Sequence, residues 1–257
     1  MKRSVSGLIA VVLLLQWIIG WISNRFFPEA SEYLLIAITQ LGVIFCPTAY
    51  FLRQNHIELP SAKQKHNVWL LVPIFMLAIG VNLVCQYINL PILILLEKCG
   101  VDINAGMVGD MPEGFEFVLA IFFICVVPAF FEELLFRGVA LSEYRKKLGN
   151  GAAILFTSLI FAWMHFDITS FVPQFFLGCI MAYTVIKTDA LIWAVWLHMC
   201  NNLFSLLIQY RLDWFSVLLE YHPILVPFGA ITLALIGIGV IRHVGKASKT
   251  QQIISQN

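Results

Sequence analysis

Three short patterns place groups that move protons or hold charge inside apolar stretches. Phe130–Phe131–Glu132–Glu133–Leu134–Leu135–Phe136–Arg137 sets two adjacent carboxylates and a guanidinium in a hydrophobic run. Phe161–Ala162–Trp163–Met164–His165 puts a phenyl ring one helical turn before an imidazole. His198–Met199–Cys200–Asn201–Asn202 puts an imidazole one turn before a carboxamide. On a helix, Glu133 and Arg137 share a face in the favourable acid-first order, whereas Glu132 is turned away by about 100°. One acid is then neutralised by arginine while its neighbour meets different surroundings, the arrangement by which two carboxylates divide structural and catalytic work. His198 and Asn202 likewise share a face, with Asn201 close to it.

Each pattern also has a plainer explanation. A helix nearing the membrane interface could solvate Glu132, Glu133 and Arg137, since the charged run Glu143–Lys147 follows closely. A single histidine at a helix end commonly serves as a hydrogen-bonded residue, and an intramembrane asparagine can be interhelical glue. The cost of placing these groups argues for use. A charge at the bilayer centre costs about 2.5–3.5 kcal/mol on insertion scales.

The elements that must position these residues are membrane-spanning helices. Of 257 residues, 60% are hydrophobic and 12% charged, with a mean hydropathy of +0.86. Soluble globular chains carry about 45–50% apolar and about 25% charged residues. The net charge of +1 gives no basis for binding nucleic acid. The six cysteines form no C-x-x-C pair, so neither a thiolate metal site nor a disulfide framework is implied. Stretches long enough to cross a bilayer core of about 30 Å lie at about 5–23, 33–52, 68–96, 115–137, 151–166, 171–187, 190–210 and 221–241.

The expectation is an all-α, polytopic membrane protein of about eight transmembrane helices. Residues 1–246 would form a single transmembrane domain with its core at about 115–210, followed by a polar, frayed tail, 247–257. The basic residues supply an orientation. With the N-terminus inside, the inner segments hold Lys2, Arg3, Arg53, Lys63, Lys65, Arg145, Lys146, Lys147, Lys187, Arg242, Lys246 and Lys249, and the outer ones only Arg25, Lys98 and Arg211. Positive charge prefers the cytoplasmic side, which places both termini there. The outer loop Glu97–Glu116 is instead acidic, and Asn89–Leu90–Pro91 is expected to kink the third span.

Depth along the helices brings the three patterns together. Glu132 and His165 flank the turn at Gly149–Asn150 at about 17 and about 16 residues, and His198–Asn202 lies about 10–14 residues inward from Lys187–Asp189 on the same side. At about 1.5 Å per residue all three fall in one band about 10 Å deep.

The ordered set, E-E-x-x-x-R, then F-x-x-x-H, then H-x-x-x-N on successive hydrophobic spans, resembles the CPBP family of CaaX proteases and bacteriocin-processing proteins, intramembrane glutamic endopeptidases. The resemblance runs from about Pro128 to Asn202. It implies a membrane hydrolase acting on peptide bonds. Glu132 would activate a water and His165 would assist it, while His198 and Asn202 would hold the oxyanion. Glu133, Arg137, Phe161 and Asn201 would support them. It implies no cofactor and no metal, and a peptide or protein substrate at the membrane, with or without a lipid. A bacterial plasma membrane is the expected location.

Three rivals stand beside this reading. Glu132, His165 and His198 could supply three zinc ligands and leave the fourth place to water, although no H-E-x-x-H motif is present. A transporter would carry similar polar residues, and Gln40, Asn82, Gln86 and Gln174 are further polar positions, but no repeat joins them. A non-catalytic scaffold or chaperone of the same fold would also keep the helices. No G-x-S-x-G elbow suggests a serine nucleophile; Ser158 and Ser205 stand only by default, and Cys200 points away from His198.

Overall fold

The computed structural model describes residues 4–27, 31–60, 68–102, 113–210 and 221–254, with the backbone alone for Tyr210 and 246–254. Lys2, Arg3, Lys63, Lys65, Arg211 and the middle of the acidic loop, 103–112, lie outside the described residues. The described chain is helical, and no strand occurs among the described residues. Among the described residues seven helices are long and apolar enough to cross a membrane, so the protein is an all-α polytopic membrane protein.

Six of the seven match the expected stretches closely. They are α1 (Val5–Phe26), α2 (Glu32–Asn55), α3 (Val68–Lys98), α6 (Phe171–Thr188), α7 (Leu191–Tyr210) and α8, which begins at Leu225. The remaining one, Phe115–Trp163, joins two stretches expected to be separate, and at 49 residues it is far too long for one crossing. It breaks at Gly149, where φ is 75° and ψ is 175°, a conformation that costs glycine little and other residues much. Ring contacts establish that the chain reverses there. Phe136 lies 5.3 Å from Phe161, and Tyr144 lies 4.8 Å from Phe156. At about 1.5 Å per residue a straight helix would hold the first pair more than 30 Å apart. The segment is therefore an antiparallel hairpin of α4 (115–148) and α5 (150–163), and the charged run Glu143–Lys147 sits at its tip.

Two further differences concern helix ends and prolines. Helix α8 continues to Ile254, so its backbone carries helix into the segment expected to fray. Pro91 sits inside α3, which remains helical to Lys98.

Packing between helices follows small residues. A Cβ on Gly80 of α3 would meet the backbone of Ala230 and Ala234 at 2.6 Å, and one on Gly237 of α8 would meet Leu77 Cβ at 2.6 Å. Helices in lipid gain little from hydrophobic exclusion and associate through such close backbone approach. Helix α1 is tied to the hairpin by polar contacts: Ser6 Oγ and Tyr144 Oη share a hydrogen bond of 2.9 Å, and Gln16 Nε2 donates to the Met164 carbonyl at 3.0 Å. The main core packs around Ile44, Ile74, Leu77, Phe136, Phe161, Met181 and Leu197.

Three stretches wind more widely than an α-helix, as π-helix: Ile38–Phe45 in α2, and Ile121–Val126 and Leu134–Ala140 in α4. Such insertions are rare and are frequent at functional sites. They flank or contain the polar residues described next.

Gly237→Val is expected to lower stability by about 1–3 kcal/mol through overpacking. Thermal unfolding of the detergent-solubilised protein should show an earlier midpoint. Gly239→Val, whose Cβ meets nothing within 4 Å, should shift it little; equal shifts would contradict the close α3–α8 contact.

Candidate active site

The two adjacent acids of α4 do face different surroundings. Glu133 is fully buried, and its Oε1 accepts from Arg137 Nη1 at 2.7 Å and lies 3.0 Å from His198 Nδ1. Arg137 is 1% exposed. Its Nη2 donates to the Gly178 carbonyl at 3.1 Å, and its guanidinium carbon stands 4.4 Å from the centre of the Phe161 ring, within cation–π range. Helix α6 comes this close because position 178 is glycine: a Cβ there would meet Ser158 Cβ at 2.9 Å. One buried ion pair thus ties α4 to α5, α6 and α7.

Glu132 is turned to α2. It is 6% exposed, and its Oε1 accepts a hydrogen bond of 2.7 Å from Gln40 Nε2. Its Oε2 is buried without a hydrogen-bond partner. Gln40 belongs to the Ile38–Phe45 π-helical stretch, and the neighbouring Phe45 ring packs 4.9 Å from Phe131. Phe130, two residues before Glu132, is half exposed.

Phe161 is the hub of the aromatic contacts. Its ring lies edge-on to both imidazoles, 5.0 Å from His165 and 5.8 Å from His198. His165 Nδ1 lies 2.9 Å from the Phe161 carbonyl. A carbonyl can only accept, so Nδ1 carries the hydrogen and Nε2 bears the lone pair of the neutral ring. His198 Nδ1 faces the Glu133 carboxylate, and by the same argument donates to it. Neither imidazole hydrogen-bonds Glu132.

The asparagines close the arrangement. Asn202 Nδ2 donates to the Ile124 carbonyl at 3.2 Å. Pro128 lies four residues after Ile124 and has no N–H to offer that oxygen, so the carboxamide supplies the missing donor. Asn201 Nδ2 reaches Asn202 Oδ1 at 3.5 Å, and Asn201 Oδ1 accepts from Asn82 at 3.1 Å.

The predicted residues therefore divide. Glu133, Arg137, Phe161, His165 and His198 form one contact network, Asn201 and Asn202 form another, and Glu132 stands with Gln40. Four partners were not singled out by the motifs: Gln40, Asn82, Ile124 and Gly178. Gln40 and Asn82 could be noticed as polar residues in apolar runs, but nothing in their spacing connects them to Glu132 or Asn201. As for zinc, no group of three His, Cys, Asp or Glu side chains among the described residues is arranged to hold a metal ion. His198 is engaged with Glu133, and Glu132 with Gln40.

Arg137→Met should destabilise the fold by about 3–5 kcal/mol, because it strands a buried carboxylate. Adding Glu133→Gln should recover part of that loss in thermal or denaturant unfolding. A double variant as unstable as the sum of the two single variants would show that the pair is not coupled.

Searches among curated proteins and among solved structures return no match. Residues 114–204 match a family model described as Rce1-like, Type II CAAX prenyl endopeptidase. That span holds Glu132, Glu133, Arg137, Phe161, His165, His198, Asn201 and Asn202, while Gln40 and Asn82 lie before it. Over residues 114–204 the chain is similar to the Rce1-like family.

Proposed function

We propose that the protein is an intramembrane endopeptidase that hydrolyses a peptide bond of a membrane-associated peptide or protein through a glutamate-activated water. The family match supports a CAAX-type membrane peptidase. The observation that carries the finer reading is the state of Glu132: a buried carboxylate oriented through one oxygen by Gln40, with the other oxygen unengaged.

In this mechanism the free Oε2 takes a proton from water as the water oxygen attacks the scissile carbonyl carbon. His165, anchored through Nδ1, presents Nε2 to orient that water. Asn202 exchanges the Ile124 carbonyl for the developing oxyanion, and His198 donates to it from Nε2 in its imidazolium form while Nδ1 stays on Glu133. Collapse of the tetrahedral intermediate breaks the C–N bond, and the proton held by Glu132 passes to the leaving amine. Such fixed donors act strongly where water is excluded. Glu133 and Arg137 touch no reacting atom and hold His198 and the helices in place. The substrate is a peptide or protein delivered at the membrane, lipidated or not. The asymmetry of basic residues supports cytoplasmic termini, and the bacterial plasma membrane is the proposed location.

Glu132→Gln should abolish cleavage while leaving unfolding unchanged, and membranes bearing this variant should accumulate uncut peptides seen by mass spectrometry. Asn202→Ala should lower kcat by about 10²–10³ fold, the cost of removing one oxyanion donor in a comparable hydrolase. Full function in Glu132→Gln would instead favour a scaffold. Chelator treatment of purified, active protein should leave cleavage intact; stoichiometric zinc whose removal abolishes cleavage would overturn the metal-free mechanism.

A further inference from the structure

The turn that carries His165 takes part of its geometry from a helix distant in the sequence. Helix α5 ends in a tightened turn, and the donors to its last carbonyls can be named one by one. Ile160 O takes Met164 N at 2.9 Å, Ala162 O takes His165 N at 3.3 Å, and Trp163 O takes Phe166 N at 3.1 Å. Phe161 O lies 2.9 Å from Nδ1 of His165 itself. The carbonyl of Met164 receives its donor from elsewhere: Gln16 Nε2 of α1, at 3.0 Å. Helix ends leave such carbonyls without intrahelical partners. Met164 is buried, so its oxygen needs a donor from the protein.

Met164 C=O and His165 N–H belong to one peptide unit, which is planar and turns as a body. Gln16 holds its oxygen and Ala162 holds its hydrogen, so both sides of the plane leading into the His165 Cα are fixed. The next residue resists that arrangement. Phe166 has φ of 50°, in the left-handed region that a bulky side chain adopts only at a cost. Such strain persists where surrounding contacts over-determine the backbone. Relaxing Phe166 to an ordinary φ would swing the turn and carry the imidazole with it. Asp167 Oδ1 braces the far side of the turn, accepting from Thr169 N at 2.8 Å and Thr169 Oγ1 at 2.6 Å. Gln16 braces the near side.

Resting on the peptidase reading above, we infer that Gln16 is a positioning residue for His165: its carboxamide holds the Met164–His165 peptide against the strained Phe166 turn and so aims Nε2 at the attacking water. Helix α1, which lies before the matched span 114–204, is thereby part of the working site.

Helix α1 has a second polar tie to the hairpin, Ser6 with Tyr144, about 15 Å along the helix from Gln16 at about 1.5 Å per residue. Ser6→Ala is therefore the control for a merely structural role. The full chain in detergent is compared as wild type, Gln16→Met, Ser6→Ala, Phe166→Asn and the double variant Gln16→Met/Phe166→Asn. Methionine keeps the length of glutamine and removes the donor. Asparagine tolerates the left-handed region, and Phe166 is half exposed.

Two quantities are read. One is cleavage of a synthetic copy of a peptide that accumulates in Glu132→Gln membranes. The other is the ring resonance of His165 in protein carrying isotope-labelled histidine, assigned by its loss in His165→Gln. In Gln16→Met, kcat should fall about ten- to a hundredfold at unchanged KM, a misplacement of about 1 Å being worth about 10²-fold. The His165 resonance should shift or broaden. Ser6→Ala should leave both as in the wild type. The double variant should recover most of the lost kcat, judged against Phe166→Asn alone, because the turn no longer pulls on the peptide. Wild-type kcat and resonance in Gln16→Met, equal losses in Ser6→Ala, or a double variant no better than Gln16→Met would each overturn the assignment. The two readings fail separately. A His165 resonance displaced by Gln16→Met and not by Ser6→Ala, with no Glu132-dependent cleavage, upholds the positioning role and sinks the peptidase reading. Glu132-dependent cleavage that Gln16→Met leaves intact does the reverse.

Discussion

A guanidinium with almost no solvent contact needs a compensating charge, and Arg137 finds one in Glu133, a single turn earlier on the same helix. A local pair of this kind would not by itself fix a fold. It does so here because neither partner is satisfied by the other alone. Arg137 takes the Gly178 carbonyl from α6 and the face of Phe161 from α5, while Glu133 takes His198 from α7. Desolvating the two charges costs several kcal/mol each, and the loss is offset only when all these neighbours are in place. The pair therefore specifies the relative positions of four helices. It demands a glycine at 178, since any Cβ there would meet Ser158 and hold the carbonyl out of reach.

The same accounting of polar groups explains the asparagines. Prolines inside helices leave a carbonyl four residues back without its donor, a loss that apolar surroundings do not forgive. Pro128 does this to Ile124, and Thr169 lies just before α6, outside that helix's own hydrogen-bond ladder. In each case a carboxamide from another helix donates to the stranded oxygen, Asn202 to the first and Asn89 to the second. A proline inside α4 and the turn before α6 thus each become tied to another helix by a hydrogen bond. The first places an amide donor beside the α4 backbone on the helix that carries His198. A donor resting on a backbone carbonyl is held in position yet can exchange partners without leaving a charge uncompensated.

How much of this could be read from the sequence depends on the range of the interaction. Hydropathy located every long apolar helix, because length and composition are local properties. Gly149 marked the hairpin turn, and the i, i+4 pairing of Glu133 with Arg137 and the divergence of Glu132 followed from helical periodicity. Depth counting placed His165 near the acids; in the structure His165 and Arg137, the ion-pair partner of Glu133, both contact the Phe161 ring. The partner of Glu132 was not legible. Gln40 lies 92 residues away, and its approach depends on how α2 packs, which periodicity does not encode. Nor was the partner of His198: spacing allowed either carboxylate, and only the rotation of α7 against α4 decides for Glu133.

That decision has a chemical consequence. Had His198 engaged Glu132, one carboxylate would have had both to orient the imidazole and to react. Engaged with Glu133 instead, the imidazole draws its orientation from a carboxylate whose charge Arg137 already balances. Glu132 keeps an oxygen free, held by a neutral carboxamide that fixes its direction without neutralising it. An ionic partner in Gln40's place would pair with the very charge that lets the carboxylate accept a proton. The adjacent glutamates are separated less by distance than by what answers their charge: a cation for the one that holds the helices, and an amide for the one free to react.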